Sequence, residues 1–397
     1  MKKTLFLFSA LIAFNFLLAQ DVTTLRIDPD LASAGTAAQI FDSILFVPLE
    51  TTKESLFGKI DQLEVTDSCF VILDYMSRSI LLFDRSGAFH ARIRTDAEDR
   101  YFSYFTLDRP RNEIIAAIGN EKKYLIYDLN GKLLRTESKP AEVTDFYCFD
   151  NHTFVLNLTR PADLSTRDKT GYDLAFSTGY DKIIKKALPY NLRFENFDYN
   201  LTENVFNYSG QPGSCMFALP FNYTVTQLND TGIIHQYKFI FPASYSLPKN
   251  FATDSLYAGA RSKYAYGTPE NRGKYEGIEH VFRVGNYLLF TANYSGRFKN
   301  DKNFAYNLTN NDLVSFGRVV GDSTSDFLPL LSHRSLEEVN MVYKDQIFSA
   351  IPSVMLFNLK NNSKNPVKYR EPLQKYFANG KRDDNVVMMV MTLKKDL

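Results

Sequence analysis

The chain of 397 residues has no tryptophan, three cysteines and five histidines, and neither sign of charge dominates, with 46 Lys and Arg against 45 Asp and Glu. Each scarcity excludes something. Sugar-stacking platforms usually lean on tryptophan, so its absence weakens a glycan-binding reading. Cys69, Cys148 and Cys215 are too few and too widely spaced for a disulfide framework in a chain this long, and are expected as small buried apolar residues. One disulfide with one free thiol is the alternative. His90, His152, His235, His280 and His333 contain no His-x-x-x-His pair, so no metal and no cofactor is expected, although residues distant in sequence can meet at a common axis. The absence of a Gly-x-Ser-x-Gly elbow and of a phosphate-cradling glycine loop removes the motif-marked hydrolases and nucleotide enzymes. No basic run suits a phosphate backbone, and nucleic acid is not an expected partner.

What is present is apolar and aromatic. Hydrophobic residues make up 45% of the chain and charged ones 23%, enough for a large core, and 33 Phe with 24 Tyr favour half-buried pleated surfaces. Lys2 and Lys3, the apolar run Leu5–Leu18 and then Ala19 have the parts of a secretory signal cleaved after residue 19. The run is shorter than the roughly 20 residues that span a bilayer, so no transmembrane span is expected in the mature chain. No cysteine stands near the junction, so the expected product is an exported protein of periplasm or cell surface that is not a lipoprotein.

A phrase repeats: an apolar run, Asp-x-x-Gly and a second run, in Ser79–Ile93 (SILLFDRSGAFHARI) and Lys123–Thr136 (KYLIYDLNGKLLRT). Asp first and Gly fourth suit a type I turn closed by a left-handed glycine between antiparallel strands. Asp84 and Asp128 lie 44 positions apart, within the roughly 40 to 50 residues of a four-stranded propeller blade. Strand clusters bounded by turn residues then predict six blades, over 60–93, 103–136, 143–188, 205–241, 278–320 and 339–393. Ile44–Leu49 is a strand without a hairpin partner, and Val386–Leu393 is one without a continuation. Pairing them closes the ring, so the fold class is all-β, a six-bladed β-propeller closed by an N-terminal strand on the C-terminal blade. Residues 20–43 read as a polar lead-in to a single domain over 44–397. Inserts near 242–277, 321–338 and 358–384 break the rhythm, and Leu328–Val339 is a candidate short helix.

The phrase Val47–Gly58 (VPLETTKESLFG), the core ILDYMSRSILLFDRSG ending at Gly87, and the tail Asp383–Leu393 resemble the six-bladed propeller proteins of Bacteroidetes, relatives of the NHL-repeat propellers. The resemblance implies an envelope or secreted propeller. It departs from the family's pattern after the first blade, where Thr95–Phe105 holds neither Gly nor Pro, and in the missing lipoprotein cysteine.

The most suggestive segment for recognition is Arg261–Glu279, where Arg261, Tyr264, Tyr266, Arg272 and Tyr275 are the candidate ligand contacts. Tyrosine supplies flat apolar area with a hydroxyl, and arginine a fork for carboxylates. The expectation is a binding or protein-interaction module for a small ligand, glycan, peptide or envelope protein. An enzyme with acids gathered at the axial mouth and a scaffold without a small ligand are the rivals.

Overall fold

The computed structural model describes residues 21–95, 100–119, 121–140, 143–158, 170–191, 205–267, 269–271, 273–294, 301–331, 339–362 and 367–395. Two strands precede the first blade, β1 (Val22–Arg26) and β2 (Phe41–Pro48), with the short helix α1 (Ala37–Ile40) between them. Blade one is β3 (Gln62–Val65), β4 (Cys69–Asp74), β5 (Ser79–Asp84) and β6 (Phe89–Arg94); blade two is β7 (Phe102–Asp108), β8 (Glu113–Ile118), β9 (Lys123–Asp128) and β10 (Leu133–Ser138). Blade three is β11 (Val143–Cys148), β12 (Thr153–Leu158), β13 (Thr170–Thr178) and β14 (Lys182–Asn191); blade four is β15 (Phe206–Tyr208), β16 (Ser214–Ala218), β17 (Thr224–Asn229) and β18 (Gly232–Ile240). The helix α2 (Arg261–Gly267) precedes blade five, which is β19 (Gly277–Val284), β20 (Tyr287–Asn293), β21 (Asn303–Asn307) and β22 (Leu313–Ser315). Blade six takes β23 (Met341–Tyr343), β24 (Gln346–Ile351) and β25 (Val387–Leu393), with α3 (Ser353–Asn362) and α4 (Glu371–Asn379) between the last two, and β2 as its fourth strand.

The first strands of the six blades touch in sequence, β3 to β7, β11, β15, β19, β23 and back to β3, so they line the axis of a closed ring. All six blades fall where turn spacing predicts them. The middle strands lie between two neighbouring sheets, which is why they read as nearly continuous apolar runs: all six residues of β4 are buried. In β8 the two-residue period assigns the faces, with Ile114 and Ala116 packed in the core shared with blade one and Ile115 and Ala117 in that shared with blade three. Cys69, Cys148 and Cys215 are buried and free, as expected of small apolar residues.

Closure is antiparallel, in the register Ile44 to Met391 and Phe46 to Met389. Residues 21–42 are more built than their composition announces. β1 adds a fifth, parallel strand outside β18, Ser33 bridges to Val314, and Thr36 bridges to Val320. The segment therefore follows the outer rims of blades four and five before entering blade six. Only Leu25 of β1 is buried, so no alternating pattern marked it. Of the predicted helix over 328–339, Leu328–Leu331 are not helical and 332–338 lie outside the described residues, as does the predicted signal segment 1–19.

The first Asp-x-x-Gly turn also carries the closure. Asp84 accepts from the N–H groups of Ser86 (2.8 Å) and Ala88 (3.0 Å), and the Ser86 hydroxyl beside it holds its carboxyl below the ordinary range. Gly87, at φ 92°, has no room for a Cβ because the Pro48 carbonyl at the end of the closing strand lies against it. Glu50 N donates to Gly87 O at 2.8 Å and Glu50 Oε2 accepts from Phe89 N at 2.7 Å, tying blade six to blade one.

Two stability measurements by urea unfolding follow. Ile44→Ala, in the closing strand and fully buried, is expected to cost about 2–5 kcal/mol. Leu45→Ala, at a side chain 54% exposed, is expected to cost less than about 0.5 kcal/mol. Equal effects would show that closure contributes nothing. Gly87→Ala is expected to destabilise by more than about 1 kcal/mol and by more than Gly131→Ala, where φ is likewise positive at 79° but the nearest atom to a new Cβ is the Ala91 methyl at 3.2 Å.

Candidate functional site

A blade of four antiparallel strands sends its first-to-second and third-to-fourth turns to one face, and its second-to-third and between-blade connections to the other. The first face carries tight turns such as Thr66–Ser68, Arg109–Asn112, Phe149–His152 and Lys344–Asp345. On the other face emerge the long connections β18–β19, β22–β23 and β24–β25, so the three inserts share one side of the ring. Two of them are locked together by Arg370. Its N–H and Nε donate to Asp326 Oδ1 (2.9 Å) and Oδ2 (3.0 Å), and its Nη2 donates to Thr324 O (2.8 Å) and to Ile44 O of the closing strand (3.0 Å).

The predicted contacts divide within the first insert. Arg261 is 0% exposed; its Nε donates to Phe251 O at 2.9 Å and its Nη2 to Asp254 O at 3.2 Å, so its fork holds the insert's own backbone. Tyr275 is also 0% exposed, donates its hydroxyl to Asp301 O at 2.7 Å and stacks on Tyr245, and burial pushes its phenol well up. Neither offers its polar atoms to solvent, because a loop rich in aromatics buries them against one another before it displays them. Tyr264 is half-buried against Phe251 and Tyr257. The Tyr266 side chain and Arg272 lie outside the described residues.

The structure gathers a set that spacing did not reveal. At the axis a cavity of about 50 Å³ is lined by Asp61 and Glu64 of blade one, Asn207 and Tyr208 of blade four, His280 of blade five and Asn340 at the entry to blade six. Toward the tight-turn face, Arg109 lies beside it. Its Nη2 donates to Glu64 Oε2 at 2.5 Å, its Nη1 to Val65 O at 2.8 Å, and its guanidinium stacks between Tyr208 (4.9 Å) and Tyr343 (5.0 Å). Burial pushes the Glu64 carboxyl up and the Arg109 charge opposes it. Burial works against the Arg109 charge too, but Glu64 and the surrounding tyrosines outweigh it and hold the guanidinium above its ordinary range. Asp61 is engaged as well, by Lys59 Nζ at 2.6 Å and Tyr75 N at 2.7 Å. Both carboxylates therefore serve as structural partners, which fits a polar receptor better than an acid-base pair. Only side chains scattered over four blades make this cavity, so no local motif announces it.

Between the second and third inserts lies a cavity of about 270 Å³, lined by Phe327, Leu328, Pro329, Leu359, Val367 and Tyr369 among others. Phe327 is 58% exposed although its backbone sits at φ 60°, directly after Asp326 at φ 50°. A bulky residue in the left-handed region is held there against its preference, here by the Asp326–Arg370 clamp beside it.

The family model described as "Domain of unknown function (DUF4934)" matches residues 26–392. The chain belongs to that family. No curated protein matches it. Among solved structures it is similar to a "Putative exported protein" from Bacteroides fragilis NCTC 9343, at 16% identity and TM-score 0.69 over 94% of this chain and 100% of that one. It is also similar to a member of the duf4221 family from Bacteroides vulgatus atcc 8482, at 12% identity and TM-score 0.48 over 89% and 97%. The first likeness is one of fold, and the resemblance to propellers of Bacteroidetes stands on it. Among the described residues no helix of this DUF4934 protein is long and apolar enough to cross a membrane.

The buried axial pair generates a test. Arg109→Met leaves Glu64 buried without its cation and is expected to cost about 3–5 kcal/mol, whereas the double variant Arg109→Met with Glu64→Leu recovers most of it. Urea unfolding of the four proteins checks this; additive losses would mean that the two side chains are not coupled.

Proposed function

We propose that this protein is an exported interaction module whose insert face takes a peptide or a loop of an envelope protein. The observation that carries the reading is the exposed Phe327, held in a left-handed backbone beside an apolar cavity, on the same face as the other inserts. Cavity size favours this over an enclosed small-molecule site. Volumes of about 50 and 270 Å³ fall below the roughly 300–1,000 Å³ typical of small-ligand pockets. The larger one suits a single apolar side chain, and the axial one a small polar group with its water. Of the residues singled out by sequence, Tyr264, Tyr266 and Arg272 are the proposed contacts from the first insert, with Arg261 and Tyr275 shaping it from inside. Export rests on the signal-like Lys2–Ala19 segment and on the printed name of the Bacteroides fragilis relative.

Selection of peptides from a displayed random library on the mature protein tests the reading. Selected peptides are expected to lose roughly 30-fold or more in affinity for Phe327→Ala, the scale of an aromatic anchor. They are expected to keep it for Leu134→Ala on the outer rim of blade two. Failure to select any peptide, or equal affinity for Phe327→Ala and the native protein, overturns the proposal.

A further inference from the structure

On the opposite face, at the seam of blades two and three, Asp108, Cys148 and His152 bring a carboxylate oxygen, a thiol sulfur and an imidazole nitrogen within 4.8 Å of one another. Asp108 ends β7, Cys148 ends β11, and His152 closes the tight turn after it at φ 60°. Cys148 and His152 are four positions apart, a close ligand spacing. The His152 ring is held edge-on by Phe154 and Tyr180, with Nδ1 2.8 Å from Asp108 Oδ2. The donor trio is the kind that zinc takes.

We propose that Asp108, Cys148 and His152 form a zinc(II) site with its fourth position open to water. Ligand atoms on a tetrahedral zinc lie roughly 3.3 to 3.8 Å apart, given bonds of about 2.0–2.3 Å. Asp108 Oδ2 and His152 Nδ1, now 2.8 Å apart, must separate to share a metal, and all three ligand atoms already lie within 4.8 Å of one another. Asp108 Oδ2 also accepts from Arg111 Nη1 at 2.9 Å, a contact the metal displaces from an arginine side chain that is 48% exposed. The surroundings favour a cation. The carboxylates of Asp108, Asp150 and Glu113 lie near the Cys148 sulfur, with Arg111 as the opposing charge. Glu113 is partly neutralised by a bidentate contact with Arg135 at 2.8 and 2.7 Å. Asp108 and Glu113 also line a cavity of about 140 Å³ beside the trio. On binding, the Cys148 S–H bond breaks, its proton passes to solvent and the S–Zn bond forms, so one proton is released per metal.

The test is competition for zinc(II) between the untagged mature protein and a chromophoric chelator, with cobalt(II) as a spectroscopic probe. One equivalent is expected to bind, and the cobalt form is expected to show four-coordinate ligand-field absorption with a thiolate charge-transfer band. Cys148→Ala is expected to lose the band, and both Cys148→Ala and His152→Gln to weaken zinc more than about 100-fold, beyond the loss typical of outer-shell changes. Cys215→Ala, at a buried cysteine of blade four, keeps native affinity. The side chain of His152 is 22% exposed, so His152→Gln is expected to fold even if Cys148→Ala does not, and thermal unfolding verifies it. No saturable uptake by the native protein, or uptake unchanged in folded His152→Gln, overturns the site.

Discussion

The antiparallel pairing of β2 with β25 is the contact on which the architecture depends. Without it, blade six would end on the open edge of β25, and the inner strands would have no reason to meet in a ring. The hydrogen bonds of the ladder are only part of the bond. Ile44, Met389 and Met391 bury apolar surface in the largest core, and the end of β2 continues through Pro48 and Glu50 into the first turn of blade one. A single strand thus ties the last blade to the first as well as completing the last.

That constraint positions both the inserts and the axial side chains. A closed ring assigns each connection to one of two faces, and the long ones fall together. Arg370 couples this to closure directly, since the side chain that orders the second and third inserts also donates to Ile44 of the closing strand. The axial side chains are likewise products of the ring. Glu64 and Arg109 meet because β3 and β7 are neighbours around the axis, and Tyr208 and Tyr343 reach the same guanidinium from blades four and six.

Turn chemistry and apolar runs made the blades legible before any coordinates, because Asp-x-x-Gly and strand periodicity are local properties of the chain. The closing pair was legible for a complementary reason: two strong strands lacked neighbours. β1 was not, since one buried leucine in five residues carries no period. The aromatic insert stands out in composition, yet composition does not distinguish an arginine that displays its fork from one such as Arg261 that spends it on backbone carbonyls. The axial polar set arises only from three-dimensional convergence, and in the Asp108, Cys148, His152 group the fold adds Asp108 to a local Cys-x-x-x-His pair.

The span of the closing contact has a consequence for how the molecule comes into being. Ser43 and Thr392 bond across 349 positions, so β2 must stay unpaired until the strand that takes it has been made. The β1 stretch shares that delay, because its docking edge on β18 forms only once blade four has been made. Assembly is therefore obliged to finish at the seam, and until that moment the nascent molecule carries β2 uncovered.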